Sequence, residues 1–250
     1  MIINKINKIR GFFDEYNIDG YLIAKNDQFF SEYAANDRLK KITNFTGSAG
    51  FAIILKKKNF LFVDGRYTIQ AKQQSGKYYN IIEIHKYFPH KVLRRYKKIK
   101  LGFDPRLFTS NTLRVYFNNK FSLKEVNDNL VDKIFKSEKS LKIKSFYEIK
   151  EKISGQKTSS KIKQITDYLK KKRVDNLFIS APENVAWTLN IRGNDNPFSP
   201  IPNCQMILTN QKKIYLFSDK KKVLGVSKKI KLHDIKIIKP TDFSHLISSC

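Results

Sequence analysis

Apolar residues recur along the first segment at Ile2, Ile6, Ile9, Phe13 and Tyr16. That spacing draws one stripe along a helix and predicts an amphipathic helix ending near Asn17. The period then shortens. Tyr21-Leu22-Ile23-Ala24 follows the turn-forming Asp19-Gly20, and the apolar runs 51–55 and 60–63 predict a hairpin across Lys56-Lys57-Lys58-Asn59. Residues 80–84 and 99–103 predict further strands, with helical segments over 91–97 and 110–117. Short apolar strands alternating with helices define an α/β fold, and the hairpin makes its sheet mixed rather than wholly parallel.

The same order of elements returns later in the chain. Ile162, Ile165 and Leu169 predict a second amphipathic helix, and Val174-Asp175-Asn176-Leu177-Phe178-Ile179 echoes Ile18-Asp19-Gly20-Tyr21-Leu22-Ile23. A second hairpin, Met206-Ile207-Leu208 with Ile214 to Asp219, echoes the first. The offset is 175 minus 19, or 156, at one end and 219 minus 64, or 155, at the other. A constant offset between ordered elements identifies two copies of one unit. The expected organisation is a first domain over 1–137, a polar, lysine-rich linker over 138–160 and a second domain over 161–250. The second copy is expected to be unfinished, with a closing helix starting at Thr241-Asp242-Phe243-Ser244-His245-Leu246.

Composition changes this picture little. The chain has 250 residues, 41% of them hydrophobic, which is enough to fill a core. No apolar run approaches the ~20 residues of a membrane span, and Lys5, Lys8 and Arg10 interrupt the start, so neither a membrane span nor export is expected. Cys204 and Cys250 form no metal or disulfide spacing, in keeping with a reducing cytoplasm. The net charge of +27 raises nucleic acid as a partner. Yet of 49 basic residues only nine are arginine, and they are spread from end to end. Specific readers concentrate charge, use arginine forks and interleave aromatics, so a lysine-decorated surface is the reading preferred and no specific nucleic acid is expected.

Motifs of catalysis with local spacing are absent: no HExxH, GxSxG, GxxxxGK or GxGxxG. His85, His90, His233 and His245 lack accompanying carboxylates and are expected to be ordinary exposed residues. Ser48, within Gly47-Ser48-Ala49-Gly50, is weighed as a nucleophile against a packing role for these small residues. No catalytic and no metal-ligating residue is nominated. Asp64-Gly65-Arg66-Tyr67 ends the first hairpin, where the turn throws Arg66 outward. Its planar fork suits a carboxylate or a peptide carbonyl, against the plainer expectation of an ion pair with Asp64 or Glu32. Pro182-Glu183-Asn184-Val185-Ala186-Trp187 opens a helix with proline in its first turn, expected to end at Gly193, with Trp187 in the core.

The stretches SEYAANDRLKKITNFTGSAG, LFVDGRYTIQA, NLVDKIF and PENVAWTLNIRGNDNPFSP, in that order over essentially the whole chain, resemble the first two domains of Xaa-Pro aminopeptidases, relatives of prolidase and creatinase. Asn203-Cys204-Gln205 departs from the aromatic or aliphatic residues common there. The resemblance implies two tandem creatinase N-terminal-like domains, each a mixed sheet flanked by helices. It implies further that the pita-bread catalytic domain, with its two divalent ions, commonly manganese, is absent from these residues. By that resemblance Arg66 binds substrate, a peptide with proline in second position; the chain alone is inactive; and a homodimer forms in the full-length cytoplasmic protein. The alternative is a stand-alone creatinase-like module that binds peptides or proteins without hydrolysis.

Overall fold

The computed structural model describes residues 1–31, 34–96, 98–135, 144–196 and 198–243. It divides into two units, residues 1–139 and 140–250. In the first, α1 (Ile2–Arg10) is followed by β1 (Gly20–Ala24), α2 (Arg38–Thr43) and the hairpin β2 (Gly50–Leu55) and β3 (Asn59–Val63). Then come α3 (Thr68–Ser75), β4 (Asn80–Glu83), α4 (Pro89–Val92) and β5 (Lys100–Phe103), and finally α5 (Ser110–Phe117), β6 (Ser122–Glu125) and α6 (Leu130–Ile134). The six strands lie in the order β4-β3-β2-β1-β5-β6. β2 runs antiparallel to both neighbours, and all other pairings are parallel.

β1 and β3 are buried along their whole lengths and β2 from Phe51 onward, because helices cover both faces. Alternate residues sort between the two faces. Tyr21, Ile23, Ala52, Ile54, Leu61 and Val63 meet Ile2, Ile6 and Ile9 of α1 with Leu39 and Val131. Leu22, Phe51, Ile53, Phe60 and Phe62 meet Leu101, Leu107 and Phe117 on the other. Gly20 sits where β1 is squeezed between its neighbours. A Cβ there would come within 2.5 Å of Leu55 Cδ2 and 2.9 Å of the Ile54 carbonyl oxygen. The first helix ends at Arg10, earlier than its apolar stripe predicts. Gly11 weakens it, and successive turns closed by Asn17 at φ 46° carry Phe13 onto the same apolar face without helix.

The second unit begins inside the expected linker. β7 (Tyr147–Glu148) and α7 (Glu151–Ser154) are followed by α8 (Thr158–Lys172), β8 (Asn176–Ile179), α9 (Pro182–Leu189) and β9 (Ile191–Arg192), which pairs with β7. Then come β10 (Gln205–Thr209), β11 (Ile214–Phe217), α10 (Ser227–Leu232) and β12 (Ile235–Ile238). Polar composition hid the role of 144–160: Phe146 is 1% exposed within the core of Ile162, Val185, Leu189, Met206 and Leu216. The sheet order is β12-β11-β10-β8. β8, β10, β11 and β12 repeat the directions of β1, β2, β3 and β4, two antiparallel steps and one parallel. Pairing registers follow too: Leu22 faces Ile53, and Phe178 faces Ile207.

Other expectations meet a different or partial outcome. α9 ends at Asn190, which takes the left-handed conformation at φ 51°, so Gly193 does not stop it. Gly193 answers a close approach instead, since a Cβ would stand 2.8 Å from Pro202 Cα. Trp187 is half exposed, because Val185, Ala186 and Leu189 occupy the inward face of α9. Of the segment 91–97, helix extends only to Val92, and Lys97 lies outside the described residues. Where the closing helix is expected, Pro240–Asp242 form a 3-10 turn and Phe243 after it is helical; the rest of that segment, residues 244–250 with His245, lies outside them too.

Candidate functional site

Five parallel strands of the first unit, β1, β3, β4, β5 and β6, end at one edge of the sheet. The chain passes from β1 out to β2, β3 and β4 on one side, then returns to place β5 on the other. The gap between carboxyl ends at such a reversal is where open α/β sheets hold ligands. Asp64 follows β3 there, His85 follows β4, and Asp104 follows β5.

Asp64 Oδ1 accepts from the Arg66 backbone N–H at 3.0 Å and from Arg66 Nε at 2.8 Å. Asp64 thereby caps the single 3-10 turn Gly65–Tyr67, and the Arg66 side chain is 71% exposed, with its guanidinium 5.3 Å from the Tyr67 ring. The Arg66 side chain and backbone N–H hold the Asp64 carboxyl below the usual carboxylate range. His85 Nε2 lies 3.7 Å from Asp64 Oδ2. The expected ion pair of Arg66 with Asp64 is therefore present, and Glu32 lies outside the described residues.

The same D-x-R arrangement closes β5. Asp104 Oδ1 accepts from Arg106 N–H at 3.0 Å and Nε at 2.9 Å, and Oδ2 accepts from Arg106 Nη2 at 2.8 Å and Asn129 Nδ2 at 3.0 Å. Burial, the largest single influence, pushes the Asp104 carboxyl up, but the hydrogen bonds from Arg106 and Asn129 together bring it below the usual range. Asn129 in turn caps α6 through its Oδ1. Asp104 is saturated and 1% exposed, a structural joint. Asp64 is more open.

Around the end of β1 lies a buried polar layer that sequence reasoning missed. Arg38, 7% exposed, donates to both oxygens of Asp132, from Nε at 3.0 and 3.1 Å and from Nη2 at 2.7 Å. Asn36 Nδ2 joins the same carboxylate at 3.0 Å. Lys25 Nζ pairs with Asp37, the capping residue of α2. Asp27 Oδ1 accepts from the backbone of Phe29 at 2.9 Å and Ser31 at 3.1 Å, and burial pushes its carboxyl up. That turn sets Phe30 at φ 57° and leaves it half exposed, strain that a non-glycine residue rarely carries. The only sequence signal for these joints was the second D-x-R, Asp104-Pro105-Arg106; the partners Asp132 and Asn129 are too distant along the chain to announce themselves.

Elsewhere the nominated residues separate. Ser48 Oγ lies 2.8 Å from the Tyr67 hydroxyl, a phenol and not a base. His90 Nδ1 contacts the Tyr116 carbonyl at 3.2 Å, and His233 is half-buried, so neither is fully exposed as expected. Burial, then Lys229, lowers the His233 imidazole below its ordinary value. In the second unit Lys161, 1% exposed, donates to the Trp187 carbonyl at 2.8 Å and to Asn190 Oδ1 at 2.6 Å, with its ammonium 4.4 Å from the centre of the Trp187 ring. Desolvation, followed by the charges of Arg192 and Lys229, lowers it. Among the described residues no group of three His, Cys, Asp or Glu could hold a metal ion. Among them, too, no helix is long and apolar enough to cross a membrane.

Comparison with known proteins matches both units. Residues 5–131 and 137–250 each match a family model described as a creatinase/prolidase N-terminal domain. Xaa-Pro aminopeptidase 1 of Dictyostelium discoideum is 28% identical over 245 residues, covering 89% of this chain and 38% of its own. A probable Xaa-Pro aminopeptidase P of Laccaria bicolor is 30% identical over 229 residues, covering 86% and 35%. An X-prolyl aminopeptidase from Caenorhabditis elegans, described as a cytosolic enzyme with a di-nuclear active site, superposes with a TM-score of 0.90 at 24% identity, over 100% of this chain and 44% of its own. The chain thus spans less than half the length of these relatives.

Proposed function

Because the chain belongs to the creatinase/prolidase N-terminal domain family, in two copies along its length, we propose that it is the non-catalytic amino-terminal portion of a metal-dependent Xaa-Pro aminopeptidase. The observation that carries this reading is the ordered match of both domains to relatives bearing that name. Its substrates are peptides with proline in second position, and its compartment is the cytoplasm, as for the cytosolic relative. The domain boundaries proposed are those of the two units, meeting near Lys139.

The described residues do not fit a pair of divalent ions, since they contain no acidic or histidine cluster. By family resemblance, the tertiary amide before proline is cleaved by a metal-activated water. The two ions, manganese by family resemblance, belong to the longer part of the relatives. What this chain contributes is shape and one cation. Arg66 stands exposed at the carboxyl edge of the sheet, its fork oriented by Asp64, and there it binds a peptide carbonyl or carboxylate at the mouth of the active site. The full-length protein is proposed to form a homodimer.

The test is an assay of the purified 250-residue chain on Xaa-Pro peptides with and without manganese. No turnover is expected in either condition, and metal-dependent turnover would overturn the assignment of chemistry to a different domain. A module that binds peptides or proteins without hydrolysis is the second reading. It is separated from the first by sequencing the gene beyond Cys250 for aspartate, histidine and glutamate ligands.

A further inference from the structure

At the carboxyl edge of the first unit the sheet opens into a cavity of about 350 Å³, within the range of small-molecule pockets. It lies at the reversal between β1 and β5. Ala24 and Asn26 come from the end of β1, Gly50 and Phe51 from the start of β2, and Leu107 from the turn after β5. Its walls carry Phe30, Phe51, Phe88, Phe108 and Tyr116. Phe51 is stacked with Tyr116 at 4.9 Å and with Phe62 at 4.8 Å, which makes this wall a fixed aromatic surface, and Phe30, Phe88 and Phe108 supply the remaining rings.

The polar lining is more telling. In a chain with 49 basic residues, no lysine or arginine among the described residues lines this cavity, whereas Asp64 does, with Asn26, His85 and Thr112. Asp104 shows what a closed D-x-R joint looks like: its Arg106 spans both carboxylate oxygens and Asn129 adds a fourth bond. At Asp64 the Arg66 N–H and Nε both fall on Oδ1, while Oδ2 stands 3.7 Å from His85 Nε2, beyond hydrogen-bond distance. A carboxylate offers about four acceptor positions. The exposed Arg66 is screened by water, so it only partly offsets the negative charge. Aromatic faces beside a carboxylate favour cations over anions. Phe30, held strained at the rim by the buried Asp27, is an aromatic presented to solvent at some conformational cost.

We propose that this cavity binds a small aromatic ammonium compound, its ring among the phenylalanines and its cation on Asp64. The cavity would take this ligand whether or not the chain serves a peptidase, so failure of either idea leaves the other standing.

The intact 250-residue chain is titrated with 2-phenylethylammonium and with 3-phenylpropionate, probes that share a ring and differ in charge. Binding is followed by saturation-transfer NMR. The ammonium compound is expected to bind about tenfold more tightly than the carboxylate. Asp64→Asn, which keeps an oxygen to cap the turn, should erase that preference. Ala49→Phe, at a half-buried lining position, should abolish binding of both probes, and Thr112→Trp on α5 provides a second obstruction if the first disturbs folding. Absence of ammonium binding, equal or tighter binding of the carboxylate, or binding that survives a folded obstructing variant would each overturn the proposal.

Discussion

Removing Asp132 should leave a guanidinium stranded inside the first unit. Arg38 is 7% exposed and donates through Nε and Nη2 to Asp132, while its Nη1 already lacks a partner. Among the described residues no other side chain accepts a hydrogen bond from Arg38, although Asp27 lies close enough to feel its charge. Breaking one side of a buried ion pair costs roughly 3–5 kcal/mol, but the Asp132 side chain is 40% exposed, so water reduces this to about 2–3 kcal/mol. For a unit of 139 residues, at roughly 3–4 °C per kcal/mol, Asp132→Ala should lower the melting temperature by about 6–12 °C. The double variant Arg38→Met with Asp132→Leu removes both charges while keeping apolar bulk, and should recover at least half of the loss. Thermal unfolding followed by circular dichroism reads both. A single variant within about 1 °C of the parent, or a double variant less stable than the single, would refute the claim that Asp132 neutralises a buried cation.

Acid should destabilise the first unit through Asp104. Its folded-state value is depressed, so its contribution is present above the unfolded carboxylate value near ~4 and fades as pH falls through the folded one; Asp104→Asn should flatten the acid limb of a stability-against-pH curve. Asp27 has the opposite sign. Its raised value means that ionisation opposes folding, and stability grows as pH falls through the raised value toward the unfolded one. Asp27→Asn, which still accepts from Phe29 and Ser31, should therefore be no less stable than the parent at pH 7 by urea denaturation, and a clear loss would contradict this. Cys204 is fully buried, and desolvation pushes its thiol up, so iodoacetamide should leave it unmodified in the native chain by peptide mapping. Gly225→Ala should cost about 2 kcal/mol or more, because a Cβ would stand 2.1 Å from the Phe146 carbonyl oxygen; an unchanged melting temperature would show that the backbone there yields freely.

The elements most legible in the sequence were those whose signal is local. The hairpin of β2 and β3 follows from two short continuous apolar runs around a lysine turn, and α5 occupies the expected positions. The repeat was legible because a constant offset survives divergence of individual residues, and the strand directions of the two sheets agree. Arg66 could be placed beyond a strand end because the Asp-Gly turn is encoded in adjacent residues. Helix α2 and strand β6 gave weaker patterns: Arg38 and Lys40 blur the apolar face of the one, and Ser122-Leu123-Lys124-Glu125 barely alternates in the other. Phe146 was lost within a lysine-rich stretch for the same reason.

The α/β class, the duplicated unit and the family were readable from residue order, since each is written in neighbouring residues or in their succession. Tertiary structure alone decided that Arg38 meets Asp132, that Trp187 turns outward over Lys161, and that Asp104 is sealed while Asp64 borders a cavity. The reason is range. Local pattern fixes which way a side chain leaves its own strand or helix, whereas burial and charge pairing depend on segments up to a hundred residues away that only packing brings alongside.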